Sequence, residues 1–112
     1  MYPQKPSHNL ETAKQLVKEG KYHISGRALR FLVNRYGDID VQSIIAAVVC
    51  SIQKENFFKS DELKKKPGVY ADIYKEVRCA EYPEEEWYVK MLVTPDGAEL
   101  AIWSMNWDGY IH

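Results

Sequence analysis

Three short segments hold the residues that can do chemistry: Asn56-Phe57-Phe58-Lys59-Ser60, Val69-Tyr70-Ala71-Asp72-Ile73-Tyr74-Lys75 and Trp87-Tyr88-Val89-Lys90-Met91. Each sets lysine or tyrosine among aromatic and β-branched neighbours. Side chains alternate between the two faces of a strand, so Tyr88 and Lys90 share one face while Trp87, Val89, Met91 and Val93 point to the other. A half-buried strand needs a polar outer face, yet nothing obliges that face to carry a phenol and an ammonium. Phosphate and acid–base chemistry use both. A phosphodiester attacked by a neighbouring hydroxyl, as in RNA, needs a base for that hydroxyl, cations for the phosphorane and an acid for the departing oxygen. Histidine suits the proton transfers best, and lysine or tyrosine substitutes when pKa values shift. The alternative is a solvated sheet face, on which lysines and tyrosines are ordinary.

Other chemistries find less support. His8, His23 and His112 are scattered, and neither HExxH nor CxxC spacing occurs, so no metal and no cofactor is expected. A glycine-rich phosphate loop and a GxSxG elbow are both missing. Cys50 falls in an apolar helical run, where a buried, inert thiol is expected, and Cys79 at the end of a strand. Two unpatterned cysteines without a secretory signal read as reduced thiols.

The elements that must position these residues fit one domain spanning all 112 residues, with 46% hydrophobic and 28% charged residues. No run of about 18 apolar residues occurs, and the start lacks a signal-like apolar segment, so a cytoplasmic protein is expected. The net charge of −1 is not that of a general nucleic-acid binder. Its distribution is uneven: Glu81, Glu84, Glu85 and Glu86 cluster, while Lys59, Lys64, Lys65, Lys66, Lys75, Arg78 and Lys90 fall in the second half.

Residues 1–8 read as an extended arm. Asn9 is placed to cap a first helix with Leu10, Ala13, Leu16 and Val17 on one side, ended at Gly20. Residues 21–24 form a connection or a minor strand. Ser25 caps a second helix with Ala28, Leu29, Leu32, Val33 and Tyr36 on its apolar face. Asp38 or Asp40 starts a third, built on Ile44, Ile45, Val48, Val49 and Ile52, and expected deepest. The period then changes to two. Strands are expected over 57–60, 69–77, 86–94 and 98–106, with a lysine-rich connection over 61–68 and a hairpin at Pro95-Asp96-Gly97. Helices first and strands after predict an α+β domain, with N-terminal helices on one face of an antiparallel sheet. The aromatic tail, 107–112, is expected to fold back on that sheet.

Lys5-Pro6, Leu10, Lys14 and Leu16, then Asn56-Phe57-Phe58-Lys59-Ser60, Val69-Tyr70-Ala71-Asp72-Ile73-Tyr74, Trp87-Tyr88-Val89-Lys90 and the final strand through Ser104 resemble the MqsR toxin family. Its pattern reads roughly KP…L..(I/V)K.L, DFYKSM, VWQDVY, YVK and SFKEK. The similarity is colinear from about residue 5 to residue 106. The resemblance implies a RelE/ParE-like domain, a metal-independent endoribonuclease of a type II toxin–antitoxin pair that cuts mRNA at short sequences. Its partner would be a cognate antitoxin, zinc-binding and DNA-binding in the best-known members. Lys59 takes the place of the active-site lysine in FYKS, and Tyr88 that of the functional tyrosine in the YVK strand. Lys90 joins them because it shares a face with Tyr88. Asp72 and Tyr74 match DVY, where a structural role is at least as expected.

Two positions depart from the pattern. Ala71 stands where the family has glutamine, and Asn106, expected as a weaker RNA contact in its place, where the family has the C-terminal lysine. Losing a cation beside a phosphate costs on the order of 10²–10³ in rate, judged by comparable transition-state donors. Tyr110 and His112 can supply polar groups from the tail, as C-terminal residues do in some relatives of the wider RelE fold. Lys64, Lys65 and Lys66 can grip phosphates through counterion release, or form a solvated charge run. The alternatives are a degenerate RelE-fold module that only binds an antitoxin, and a ribosome-dependent nuclease.

Overall fold

A computed structural model of the chain describes residues 5–37, 40–83 and 86–107. Helix α1, Leu10–Lys18, starts where Asn9 Oδ1 accepts the Thr12 N–H at 3.0 Å. Strand β1, Tyr22–Ile24, is short. Helix α2, Gly26–Tyr36, is capped by Ser25 and stopped by Gly37 at φ 84°, a left-handed value that glycine adopts without strain. Helix α3, Val41–Ser51, begins after Asp40, which sits at φ 65° and makes no side-chain cap. Asp38, the other expected start, lies outside the described residues. One 3₁₀ turn, Lys54–Asn56, then leads into β2, Phe57–Leu63, β3, Lys66–Arg78, β4, Glu86–Val93, and β5, Leu100–Trp107.

The result is an α+β domain: helices packed on a five-stranded sheet ordered β1-β5-β4-β3-β2. Strands β2 to β5 are antiparallel, as the sequence predicts. Residues 21–24 resolve in favour of a strand, and β1 pairs with β5 in parallel, so the sheet is mixed. One core holds Leu16, Leu32, Ile45, Val48, Val49, Tyr74, Trp87, Val89 and Met105, which places all three helices on the same sheet face. Helix α3 contributes five buried side chains, Val41, Ile44, Ile45, Val48 and Val49, in keeping with its apolar composition. No described helix is long and apolar enough to cross a membrane.

Three expectations need correction. Residues 61–68 are not a connection: β2 runs on to Leu63, Lys64-Lys65 makes the turn, and Pro67 and Gly68 lie inside β3. The lysine run hid a hairpin because its tip is polar and its proline sits at the start of β3, beyond the residues paired with β4 and where the register with β2 is irregular, so a missing N–H costs little. Strand β5 begins at Leu100 rather than Ala98, because Asp96 Oδ1 accepts from Ala98 N and Thr94 Oγ1 and extends the turn. Cys50 is half-buried, whereas Cys79 is buried; both thiols are free.

Residues 7 and 8 of the N-terminal arm are tied down. Asp72, 1% exposed, accepts the N–H groups of Ser7 and His8, each at 2.8 Å. Ser7 Oγ meets Ser60 Oγ at 2.6 Å, and His8 Nε2 lies 2.7 Å from the Tyr70 carbonyl. Asp72 thereby clamps Ser7 and His8 just ahead of the Asn9 cap of α1.

Candidate functional site

The sheet face away from the helices presents the residues singled out by the sequence. Phe57 pairs with Tyr74 and Lys59 with Ile73, so Phe58 is the extra residue of a β-bulge. The bulge resets the alternation. Phe57 packs edge-on against Tyr74 in the helix-side core, 5.8 Å between centroids, and Lys59 comes out on the open face.

Lys59, Ile73, Lys90 and Ser104 then form one row across β2, β3, β4 and β5. Ile73, 2% exposed, lies between the two lysines, whose apolar stems can cover it while their charged ends stay in water. Asp61, two residues beyond Lys59 on the same face, joins the ends. Its Oδ1 is 3.5 Å from Lys59 Nζ and its Oδ2 is 4.0 Å from Lys90 Nζ. Both pairs are long and partly exposed, and such pairs contribute little to stability. Phe58 is exposed, with Lys75 Nζ 4.5 Å and Lys59 Nζ 5.6 Å from its ring centroid. These cation–ring contacts hold two ammoniums at the same edge of the sheet.

Tyr88 is half-buried on this face, paired with Asn106 on β5 and opposite a bulge in β3 between Tyr74 and Val77, where Glu76 takes φ 56°. From Lys59 it is two strands across and one step of two residues along. Standard strand spacings put their Cα atoms on the order of 12 Å apart, a span that two long side chains can close around one phosphate. Lys59 and Tyr88 therefore share a face, and neither is buried.

Lys64, Lys65 and Lys66, at the tip of the β2–β3 hairpin, line an open groove of about 500 Å³ with Asp61, Lys90 and Trp103. The lysine run thus borders the same face as Lys59. Asn106 is a correction: it is 4% exposed, so it is a neighbour of Tyr88 within the sheet and not an open contact for substrate. Tyr110 and His112 lie outside the described residues, as do the tail beyond Trp107 and Glu84 and Glu85 of the acidic cluster. Ala71 is fully buried in a small apolar cluster with Leu63, Leu92 and Ala101.

Compared with known protein families and with curated proteins, the chain matches none. The reading of the site therefore rests on its own geometry and chemistry.

Burial pushes the Tyr74 phenol up to about 12, helped by the nearby Asp72 carboxylate, so Tyr74 stays protonated and cannot act as a base near neutrality. Among the described residues no group of three or more His, Cys, Asp and Glu is placed to hold a metal ion. The open face offers the ammoniums of Lys59 and Lys90, with Lys75 and the hairpin lysines at its margin, together with a phenol, a carboxylate and an exposed indole.

Asp61 and Trp103 escaped the sequence reading. Their signals were present: Lys59 and Asp61 stand two apart on a strand, and Trp103 follows the inward Ile102. Asp61 is hidden because the acidic and lysine-rich run after Ser60 has the composition of a connection rather than of a strand. With Asp61→Asn the two ammoniums lose their shared counter-charge. A single-stranded oligonucleotide used as a polyanionic probe of this face should then bind several-fold tighter, and log K should fall more steeply with log salt, by about 0.7 for each added phosphate contact. Titration at several salt concentrations measures both.

Proposed function

We propose that this protein is a metal-independent endoribonuclease of the MqsR kind, a RelE-like toxin that cuts cytoplasmic mRNA and is restrained by a cognate antitoxin. The observation that carries the reading is the open sheet face, where Lys59 and Lys90 flank one carboxylate and Tyr88 stands one step along. Their ammoniums suit the charge that develops on a phosphorane. The 2′-oxygen forms its bond to phosphorus, the bond to the 5′-oxygen breaks, and the 2′-hydroxyl proton leaves as another reaches the 5′-oxygen. Tyr88 serves as hydrogen-bond donor or proton carrier in that exchange. The products are a 2′,3′-cyclic phosphate and a 5′-hydroxyl.

The test is incubation of the purified protein with single-stranded RNA in chelator, followed by analysis of the new ends. Tyr88→Phe should lower the cleavage rate about 10²-fold, the lower end for a lost proton-transfer group, with the fold unchanged. Intact RNA in the absence and presence of translating ribosomes would overturn the nuclease reading. Cleavage only with ribosomes would make the enzyme ribosome-dependent.

A second reading has its own observation. Where the family pattern has glutamine and lysine, this chain has Ala71 and Asn106, and both are buried. A domain that kept its fold for antitoxin binding while losing catalysis would look like this. Tight antitoxin binding without cleavage in either assay would favour it.

A further inference from the structure

Trp103 is unusual among the three tryptophans. Trp87 is fully buried, and Trp107 packs edge-on against Phe31 at 5.1 Å, with the Arg35 guanidinium 5.0 Å from its ring. Trp103 is 43% exposed and makes no ring or cation contact with another described residue. An indole left in water forfeits a large apolar burial. Its position is also held. Lys90 pairs with Ser104 and Met91 with Ile102, so Trp103 is the extra residue of a bulge that turns its side chain outward. The bulge is pinned from behind by the serine that caps α2: Ser25 Oγ donates to the Trp103 carbonyl at 2.8 Å, and Ser25 N–H to the Ile102 carbonyl at 2.9 Å.

The surroundings define what the indole can receive. Trp103 lines the groove with Lys64, Lys65, Lys66 and Lys90, and Asp61 and Glu62 are its acids. Four ammoniums against two carboxylates leave the groove cationic on a chain whose net charge is −1. A flat aromatic beside a row of cations matches a nucleotide, whose base stacks while its phosphates meet the lysines. An acidic peptide would satisfy the lysines but leave the indole without a planar partner.

We propose that Trp103 is the stacking platform for an unpaired base of single-stranded RNA, next to the phosphate held by Lys90 and Lys59. The inference rests on the ribonuclease reading and adds the base subsite to it. The experiment is a titration with a 2′-O-methylated single-stranded oligoribonucleotide, which lacks the attacking hydroxyl, followed by tryptophan emission and by anisotropy of a labelled strand. Emission of the parent protein should be quenched as the strand binds. Trp103→Phe should abolish most of the quench and keep most of the affinity, since a phenyl ring still stacks. Trp103→Ala should weaken binding about 5- to 150-fold, the range for one lost base–aromatic stack. A parent that binds and cleaves RNA while Trp103→Ala binds equally well would overturn the platform and spare the nuclease. A quench that persists in Trp103→Phe would do the same, and that variant carries the test if the alanine variant fails to fold. A parent that neither binds nor cleaves would overturn both.

Discussion

Lys59→Ala is expected to slow metal-free RNA cleavage by about 10²–10³, comparable with removing one preorganised donor from an oxyanion site. The magnitude follows from position. Lys59 is placed on the open face by the bulge at Phe58, with Lys90 as the second cation of its row and Asp61 between them. An ammonium that meets the phosphorane more strongly than the ground-state diester lowers the barrier, so the loss should fall on the single-turnover rate more than on affinity. Lys90 remains in the variant, which is why cleavage should be reduced and not erased. Stability should change by no more than about 1 kcal/mol, because the Lys59 ion pair with Asp61 and its cation–ring contact with Phe58 are both partly exposed. Thermal melting and single-turnover cleavage on the same preparation check both halves. Expression in cells gives a third measure: growth arrest by the parent should vanish with Lys59→Ala. Undiminished cleavage in a folded variant would move the active site elsewhere while leaving the architecture as it stands.

What the sequence made legible has a physical pattern. The caps Asn9 and Ser25 work through local hydrogen bonds, so residue type was enough to locate both helix starts. The face shared by Tyr88 and Lys90 follows from strict alternation along β4, which is regular through these residues. Alternation failed where bulges intervene. Nothing in Phe57-Phe58-Lys59 announces that Phe58 is an extra residue, because the insertion is defined by the partner strand. Trp103 was hidden for the same reason. The parallel pairing of β1 is decided by β5, about 80 positions later, and no local signal encodes it. The composition of the lysine run predicts a loop, whereas its backbone closes a two-residue turn between β2 and β3. Asn106 stands where the resemblance implies a lysine, and burial within the sheet is not encoded by that position alone.

The largest expected loss of stability comes from Asp72→Ala. A buried carboxylate with two backbone N–H donors at 2.8 Å makes charge-assisted bonds of about 1.5–3 kcal/mol each. The donors belong to the partly exposed arm, which can move back into water when the carboxylate is gone, so the lower end applies: about 3 kcal/mol in total. For a domain of this size that corresponds to a fall of roughly 10–20 °C in melting temperature. Asp72→Asn should lose less, since the amide keeps one acceptor oxygen but turns an N–H₂ toward the second donor. Asp72 faces the helix side, away from Lys59 and Tyr88, pairing with Ser60 and Met91. Cleavage per folded molecule should accordingly survive in both variants well below their melting points. Urea titration ranks the three proteins, and cleavage assayed at low temperature separates a clamp from a catalytic group: a rate loss like that of Lys59→Ala in still-folded Asp72→Asn would place Asp72 in the site.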